Sequence, residues 1–202
     1  MNKHTPPQHS SFLLPVTRII VVLLLAIFFS ITASVSVSSV ESYEPWILID
    51  TKAEQLSIKR KDDTIRLFED IAIGRGGAAQ LRIRDDGKTP LGEFEIAWIA
   101  KKSQFHMFFG LNYPNLERVQ KAYDSGEIDR VTYYRVRDAI VSGQVPPQNT
   151  KLGGYLGIHG LGSKDLKTHR QYNWTLGCVA LTNIEIEELA LWLKIGTRVV
   201  IR

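Results

Sequence analysis

Apolar residues recur at every second position in the part of the chain that begins near residue 46. In the segment WILIDTKAEQLSIKR they are Trp46 and Leu48, followed by Leu56 and Ile58. The segment TIRLFEDIAIG continues the same alternation with Ile65, Leu67, Ile71 and Ile73. Side chains of a β-strand point alternately to opposite faces, so this period predicts half-buried strands. The turn sequences GRGG and RDDGKTPLG precede a further alternating segment, EFEIAWIA.

The periodicity becomes helical between about residues 115 and 145. Leu116, Val119 and Tyr123 share one helical face, and Gly126 interrupts the pattern before it resumes. We expect this insertion to form a helical lid over a cleft. Its arginines either form a solvated helix face or bind carboxylates of a ligand; they are Arg118, Arg130, Arg135 and Arg137.

The chain closes with a strand, a helix and another strand. YLGIHG is a short apolar strand that ends in His-Gly, and GTRVVIR is a final strand. TNIEIEELALWLK predicts a late helix, opened by a capping Thr or Asn with Glu185 in its first turn. The fold class is therefore mainly β, with a helical insertion and one late helix. Strands and helices do not alternate regularly enough for a parallel doubly wound sheet.

An uncharged segment of 22 residues, Ile19 to Val40, precedes these elements. Its dense apolar part, Ile19 to Phe29, has the length of a signal-peptide core and is followed by small residues. The whole segment is also long enough to span a bilayer, which takes about 20 residues. Residues 1–40 are therefore a signal peptide or a membrane anchor.

Both outcomes place residues 41–202 outside the cytoplasm. The basic residues Lys3 and Arg18 lie before the uncharged segment, and the positive-inside rule keeps that side cytoplasmic. We expect the protein in the periplasm or cell envelope, released or anchored to the inner membrane. Residues 41–202 have the size of a single domain, large enough for a core without disulfides.

The charge of this domain is close to balanced. Residues 41–202 contain 23 basic and 21 acidic residues, a formal charge of +2. There is no basic run and no interleaving of basic with aromatic residues. The sequence therefore argues against a nucleic-acid partner.

The chain has a single cysteine, Cys178, directly behind Gly177 in the segment YNWTLGCVALTN. One cysteine forms no intramolecular disulfide, so Cys178 is a buried inert thiol, an intermolecular link or a nucleophile. A nucleophilic thiol needs a nearby base or positive charge. Gly177 permits a tight turn that would direct backbone N–H groups at a developing oxyanion.

Five histidines are candidates for the base. His4 and His9 precede the uncharged segment, and His106 and His169 lie in polar segments that we predict to be loops. His159 ends an apolar strand and is followed by Gly160, and a return of the chain would bring it to Cys178. A structural role for a histidine at a strand end remains the alternative.

Two motifs in this order resemble the L,D-transpeptidase catalytic (YkuD) family. One is IHG followed, 15 positions after Gly160, by TLGCVALTN. The other is KTPLGEFEI, which is similar to the upstream Thr-Pro-x-Gly-x-Phe element of these domains. The segment from Ile47 to Gly74 resembles the family's paired first strands. The likeness covers most of residues 46–202 and is weakest around residues 115–145.

The resemblance implies an L,D-transpeptidase-like β-sandwich with the cysteine in a cleft. Cys178 would attack a peptide carbonyl of a peptidoglycan stem and form a thioester, and His159 would accept the thiol proton. The Gly160 carbonyl would orient the imidazole, and backbone N–H groups near Leu176, Gly177 and Cys178 would hold the oxyanion. The donor is expected to be the bond between a diamino acid and the terminal D-alanine of a tetrapeptide stem.

The resemblance also implies the partners of the site. They are peptidoglycan stem peptides, a wall-linked protein as a further candidate, and the membrane through the N-terminal segment. The chemistry requires no cofactor and no metal, and the sequence has no ligand cluster such as His-x-x-x-His. Residues expected to contact substrate are Tyr172, Trp174, Thr175 and Leu176, with aromatic packing as the alternative for the two aromatic side chains.

Two residues depart from the pattern that many members share. Leu176 stands where many have histidine, and Ala180 stands where many have arginine or asparagine. Both departures resemble a subgroup with GCIALTN-like endings that includes hydrolases of wall-linked peptides. Transfer to an amine and hydrolysis therefore both remain open, as do a noncatalytic wall-binding domain and an envelope protein that dimerises through Cys178.

Overall fold

The computed structural model describes Met1 and residues 44–202. The predicted signal peptide or anchor, Ile19 to Val40, lies outside the described residues, as do His4 and His9. Within the described part of the chain, no helix is long and apolar enough to cross a membrane.

Strands dominate residues 44–202. They are β1 (Trp46–Asp50), β2 (Gln55–Arg60), β3 (Asp63–Phe68), β4 (Ala78–Ala79), β5 (Thr89–Pro90), β6 (Gly92–Ser103), β7 (His106–Leu111), β8 (Gly157–His159), β9 (Val179–Ala180) and β10 (Arg198–Ile201). The helices are α1 (Leu116–Asp124), α2 (Arg130–Val141), α3 (Leu166–Gln171) and α4 (Asn183–Ala190). The predicted mainly β class, with a helical insertion and a late helix, is confirmed.

Eight strands form one mixed sheet in the order β3-β2-β1-β10-β6-β7-β8-β9. The pairs β1–β10 and β8–β9 are parallel, and the other pairs are antiparallel. The long strand β6 pairs with β10 through its first residues and with β7 from Ile96 onward, with a register shift between Ile96 and Trp98. Such a shift bends a strand, so β6 joins the two halves of the sheet.

The two ends of this sheet are connected to each other. Ala72, in the segment after β3, forms an antiparallel bridge with Ala180 of β9. Their amides and carbonyls exchange two hydrogen bonds, of 3.0 and 2.7 Å. The segment that follows the first three strands therefore supports the strand that follows Cys178.

The buried face of β1 differs from the predicted one. Ile47 and Ile49 are fully buried, whereas Trp46 and Leu48 are only partly buried. Burial alternates along the strand as predicted, but on the other face, because Trp46 to Ile49 are all apolar and allow either register. In the structure the Trp46 indole lies under Arg198 and donates its Nε1–H to the Lys61 carbonyl.

Strand β3 also turns its predicted apolar face outward. Ile65 is 36% exposed, and the buried side chain of this strand is Phe68. β3 is an edge strand, and its pairing with β2 shifts register between Ile58 and Lys59. Ile71 and Ile73 are buried as predicted, but they lie after the strand.

The helical insertion has a small core of its own, formed by Val119, Ala122, Ile128, Val136 and Leu152. Asn115 caps α1 and Asp129 caps α2 through their side chains. The expectation that the insertion's arginines form a solvated face or bind a ligand is wrong for Arg118, which is 4% exposed. Its guanidinium pairs with Glu127 and donates to the Arg82 carbonyl.

The start of α4 has the predicted capping box. The Thr182 hydroxyl accepts from the Glu185 amide, and the Glu185 carboxylate accepts from the Thr182 amide. Two backbone donors that the helix leaves unpaired are thereby satisfied.

Replacing Thr182 by alanine is expected to lower the free energy of unfolding by about 1 kcal/mol, because the Glu185 amide loses its acceptor. Urea denaturation measures this change. Ile184→Ala is the control in the same helical turn: Ile184 is 79% exposed, so its loss should cost under about 0.5 kcal/mol. Equal costs for the two variants would contradict the capping role.

Candidate active site

Cys178 and His159 line the same cavity, whose volume is about 610 Å³. Its wall also contains Arg82, Arg84, Asp85, Phe105, Phe108, Gln148, Asn149, Gly153, Gly154, Tyr155, Leu156, Trp174, Thr175 and Leu176. The structure therefore brings together the two residues that the sequence suggests as nucleophile and base.

The parallel pairing of β8 with β9 accounts for this meeting. Ile158 is opposite Val179, and His159 is opposite Ala180. Side chains two positions apart on a strand share a face. Cys178, one residue before β9, therefore faces the same side of the sheet as His159.

The tautomer of His159 follows from its hydrogen bond. Nδ1 lies 2.7 Å from the carbonyl oxygen of Gly160. A carbonyl oxygen only accepts, so Nδ1 carries the hydrogen and Nε2 keeps a free lone pair for a proton. The Phe105 ring stacks on the imidazole with centroids 4.2 Å apart.

Burial makes this imidazole a neutral group. The pKa of His159 is lowered to about 4, mainly by desolvation; the hydrogen bond to Gly160 opposes this shift, and the nearby His169 adds to it. At neutral pH the ring is uncharged and able to accept a proton.

Gly160 allows the close packing around this histidine. A Cβ at position 160 would lie 2.8 Å from both the Asn183 Oδ1 and the Phe105 carbonyl oxygen. These contacts exclude any side chain there. The carbonyl that orients His159 therefore depends on a glycine at position 160.

The Cys178 thiol is half-buried and lies 3.5 Å from the Tyr155 carbonyl oxygen, to which it donates. Burial raises the pKa of Cys178 to about 11, partly offset by the Gly157 amide and the positive charge of Arg82. The resting pair is therefore a neutral thiol and a neutral imidazole. Formation of the nucleophile requires proton transfer to a base during attack.

A compact turn holds the thiol. The Thr175 hydroxyl donates to the Cys178 carbonyl at 2.7 Å and accepts from the Gly177 amide at 3.1 Å. Gly177 has φ +124°, and a Cβ there would lie 2.5 Å from the Lys88 carbonyl oxygen. The turn therefore requires glycine both for its backbone conformation and for the approach of Lys88.

The upstream motif packs against this turn. Thr175 donates its amide to the Ile73 carbonyl, and its carbonyl accepts from the Arg75 amide. The Thr89 hydroxyl of the KTPLG segment accepts from the Gly74 amide at 2.9 Å. The two sequence motifs, distant along the chain, thus form one structural unit.

The expected substrate-contacting residues occupy different places. Trp174, Thr175 and Leu176 line the cavity, and Leu176 is 59% exposed at its surface. Tyr172 follows α3, is 65% exposed and does not line the cavity. The Thr175 hydroxyl is already used inside the turn.

The prediction that His169 lies in a polar loop is wrong. His169 lies in α3, which Asp165 caps through its side chain, and it is 4% exposed. The Trp174 Nε1–H points at His169 Nδ1 across 3.4 Å, and Trp174 meets His159 edge-on. The capping residue Asp165 is the sequence signal for this helix.

Further features of the wall are not apparent from the sequence. Phe105 and the buried Arg82 belong to no recognisable motif, yet both line the cavity. The expected helical lid is not observed: no residue of α1 or α2 lines the cavity, and residues 148–149 and 153–156 after α2 line it instead. In residues 44–202, no group of three or more His, Cys, Asp or Glu side chains is arranged to hold a metal ion.

Gly177→Ala is expected to lower the free energy of unfolding by about 3–5 kcal/mol, because strain and the clash with Lys88 add. Gly126→Ala is the matched control. Gly126 has φ +73°, and a Cβ at this position would have no described atom within 4 Å, so only strain of about 1–2 kcal/mol applies. Equal losses in urea denaturation would contradict the importance of the Lys88 contact.

Comparison with known proteins agrees with this architecture. The chain is similar in fold to the helical cell shape determining protein Pgp2 from Campylobacter jejuni, with a TM-score of 0.53 and 21% identity over 79% of this chain and 47% of that one. It is similar to Bd1075 from Bdellovibrio bacteriovorus, with a TM-score of 0.51 and 20% identity over 81% of this chain and 50% of that one. The chain thus spans about half the length of these structures.

No curated protein sequence matches the chain significantly. The YkuD family model, the L,D-transpeptidase catalytic domain, matches residues 44–201, which is most of the chain and contains both sequence motifs. The chain therefore belongs to the L,D-transpeptidase catalytic domain family.

Proposed function

We propose that this protein is a peptidoglycan L,D-transpeptidase that acts on tetrapeptide stems through a thioester on Cys178. The observation that carries the proposal is that a thiol and an imidazole of defined tautomer line the same cavity. Family membership supports peptidoglycan stem peptides as the substrate class. Neither the reaction nor the use of Cys178 follows from the fold alone.

Acylation begins with the neutral pair. As Sγ attacks the carbonyl carbon, the thiol proton passes to Nε2 of His159, and a C–S bond forms. The tetrahedral intermediate then collapses, the C–N bond breaks, and the imidazolium returns its proton to the leaving amine. The Gly160 carbonyl, which accepts from Nδ1–H, stabilises the imidazolium while it exists.

The developing oxyanion requires backbone donors near the sulfur. The Gly177 amide donates to the Thr175 hydroxyl, which fixes the turn. We assign oxyanion binding to the amides of Leu176 and Cys178, with Gly177 holding them in place. The resemblance implies three donors, the amides near Leu176, Gly177 and Cys178, and this assignment keeps only those of Leu176 and Cys178.

Deacylation decides between transfer and hydrolysis. An amine of a second stem attacks the thioester carbonyl, gives its proton to His159, and releases the Cys178 sulfur, which recovers that proton. Water in the place of the amine gives hydrolysis by the same steps. L,D-hydrolysis of wall-linked peptides is the second candidate, because Leu176 and Ala180 resemble a subgroup of the family that includes such hydrolases.

This function fits an extracytoplasmic location. The uncharged segment from Ile19 to Val40 supports export, and peptidoglycan lies outside the cytoplasm. Pgp2 is described as a helical cell shape determining protein, and we propose that this chain contributes to cell shape by acting on the wall.

The first prediction concerns the covalent intermediate. Incubation with a tetrapeptide stem, or with a carbapenem as an acyl-donor analogue, should add the acyl mass to Cys178 in intact-protein mass spectrometry. Cys178→Ala should show no adduct, and His159→Ala should acylate about 100-fold or more slowly. Release of a tripeptide would identify a hydrolase, and cross-linked stems a transpeptidase.

The matched control for the base is His106→Ala. His106 pairs with Glu187 and does not line the cavity, so its loss should leave the acylation rate close to that of the wild type. An adduct that persists in Cys178→Ala would overturn the proposal, as would equal rates in the two histidine variants.

The second prediction concerns pH. A thiol with a pKa of about 11 should react with iodoacetamide at a rate that rises about tenfold per pH unit above neutrality. Acylation by substrate should instead be nearly constant above the His159 pKa of about 4 and fall as pH drops through it, because the protonated ring accepts no proton. Stopped-flow labelling measures both rates.

Circular dichroism at each pH provides the control that the protein stays folded. A plateau of iodoacetamide labelling from pH 5 upward would show a preformed thiolate–imidazolium pair. That result would contradict the neutral resting state.

A further inference from the structure

The side chain of Arg82 is 3% exposed and lines the cavity that contains Cys178. Its Nη2 donates to the Ile83 carbonyl at 2.9 Å, and its Nε lies 3.4 Å from Asp86 Oδ1. The buried Nη1 has no hydrogen-bond partner among the residues that the structure describes. Arg82 is therefore a buried cation in the cavity wall with unused donors.

Asp86 pairs with this cation through a long contact at Nε. Its carboxylate also accepts the amides of Ile83 at 2.9 Å and Lys88 at 3.0 Å, both shorter than the contact with Arg82. The same wall contains Arg84 and Asp85, whose charges are opposite to each other. A buried guanidinium with free N–H groups favours an anionic ligand.

Contacts on both the backbone and the side chain restrict Arg82. The Arg118 Nη2 donates to the Arg82 carbonyl at 2.8 Å, and the Tyr113 ring lies 5.6 Å from the Arg82 guanidinium carbon. Arg118 lies in α1, so the helical insertion supports the cavity wall from outside. A rigid guanidinium loses little entropy when it binds a planar anion.

Gly153 lies close to the end of this group. A Cβ at position 153 would lie 3.3 Å from both Nη1 and Nη2 of Arg82. Gly153 and Gly154 both line the cavity. Nη1 itself is buried, and a glycine at position 153 lets the chain pass this close to the guanidinium without crowding it.

We propose that Arg82 is the carboxylate-binding residue of this active site and that it binds the C-terminal carboxylate of the stem peptide. The inference rests on the proposed function, which supplies a substrate of this chemistry. In such a substrate only the amide nitrogen and one α-carbon separate the carboxylate from the scissile carbonyl. A group that binds the carboxylate must therefore share a cavity with the nucleophile, as Arg82 does with Cys178.

With this assignment, Arg82 determines specificity for a carboxylate, a role that Ala180 cannot have. Position 180 is a fully buried alanine in β9 and offers no polar group. The carboxylate contact is supplied instead by the segment before the KTPLG motif. A guanidinium fork binds a carboxylate through two parallel hydrogen bonds, which lysine does not reproduce.

The test compares a tetrapeptide stem with a free C-terminal carboxylate and the same peptide as its C-terminal carboxamide. Wild-type protein should prefer the carboxylate by about 10- to 100-fold in kcat/KM. In Arg82→Gln and Arg82→Lys the two peptides should react at nearly equal rates. A merely structural role would lower both rates equally and leave the preference intact, which would overturn the inference.

Two further variants locate the effect. Arg135→Gln removes an exposed positive charge from α2, outside the cavity, and should keep the preference of the wild type. If Arg84→Gln abolishes the preference and Arg82→Gln does not, the assignment to Arg82 is wrong.

A peptide amidated on the side-chain carboxylate of its third residue should keep the wild-type rate. If this peptide alone reacts more slowly, the ligand of Arg82 is that carboxylate and not the terminal one.

Binding to Cys178→Ala, measured by calorimetry with the same two peptides, keeps the test independent of turnover. Tighter binding of the carboxylate peptide that disappears in Cys178→Ala/Arg82→Gln supports the inference even without catalysis. Turnover that depends on Cys178 but ignores the terminal carboxylate would refute the role of Arg82 and leave the proposed function intact. Absence of any Cys178 adduct would refute the proposed function itself.

Discussion

The parallel pairing of β8 with β9 is the constraint on which the active site depends. It places the residue before β9 and the last residue of β8 on one face of the sheet, so Cys178 and His159 line one cavity although they are distant along the chain. Both strands are short, and each is held from outside: β8 by β7, and β9 by the bridge from Ala72 to Ala180. The geometry of the pair is therefore a property of the whole sheet.

Close backbone approaches complete this constraint. Gly160 lies against Phe105 and Asn183, and Gly177 lies against Lys88, at distances that no side chain permits. In both places the glycine lets a distant segment pack against the residue beside it. The glycines of the His-Gly and Gly-Cys dipeptides are therefore required for packing, in addition to the chemical roles of their neighbours.

Burial sets the electrostatics of the site. Burial desolvates both reacting groups, which favours their neutral forms and makes the charge that develops during attack sensitive to fixed donors. Arg82 is also buried. Water therefore screens its positive charge little, and that charge lowers the pKa of the Cys178 thiol. Arg118 holds Arg82 from behind, so the helical insertion acts on the cavity through a buried arginine pair and not as a cover.

The sequence by itself determined the features that depend on neighbouring residues. Period-two alternation predicted the strands, Thr182 and Glu185 predicted the cap of α4, and the two motifs predicted the family. These features are predictable because strand periodicity, helix capping and glycine turns depend on residues that are close in sequence.

The tertiary structure alone decided which side of β1 is buried, that Arg82 and Arg118 lie inside, and that His169 is part of a helix against Trp174. Arg118 reaches the carbonyl of a residue 36 positions away. Burial of a charged side chain depends on partners that distant parts of the chain supply, and the local sequence pattern does not identify those partners.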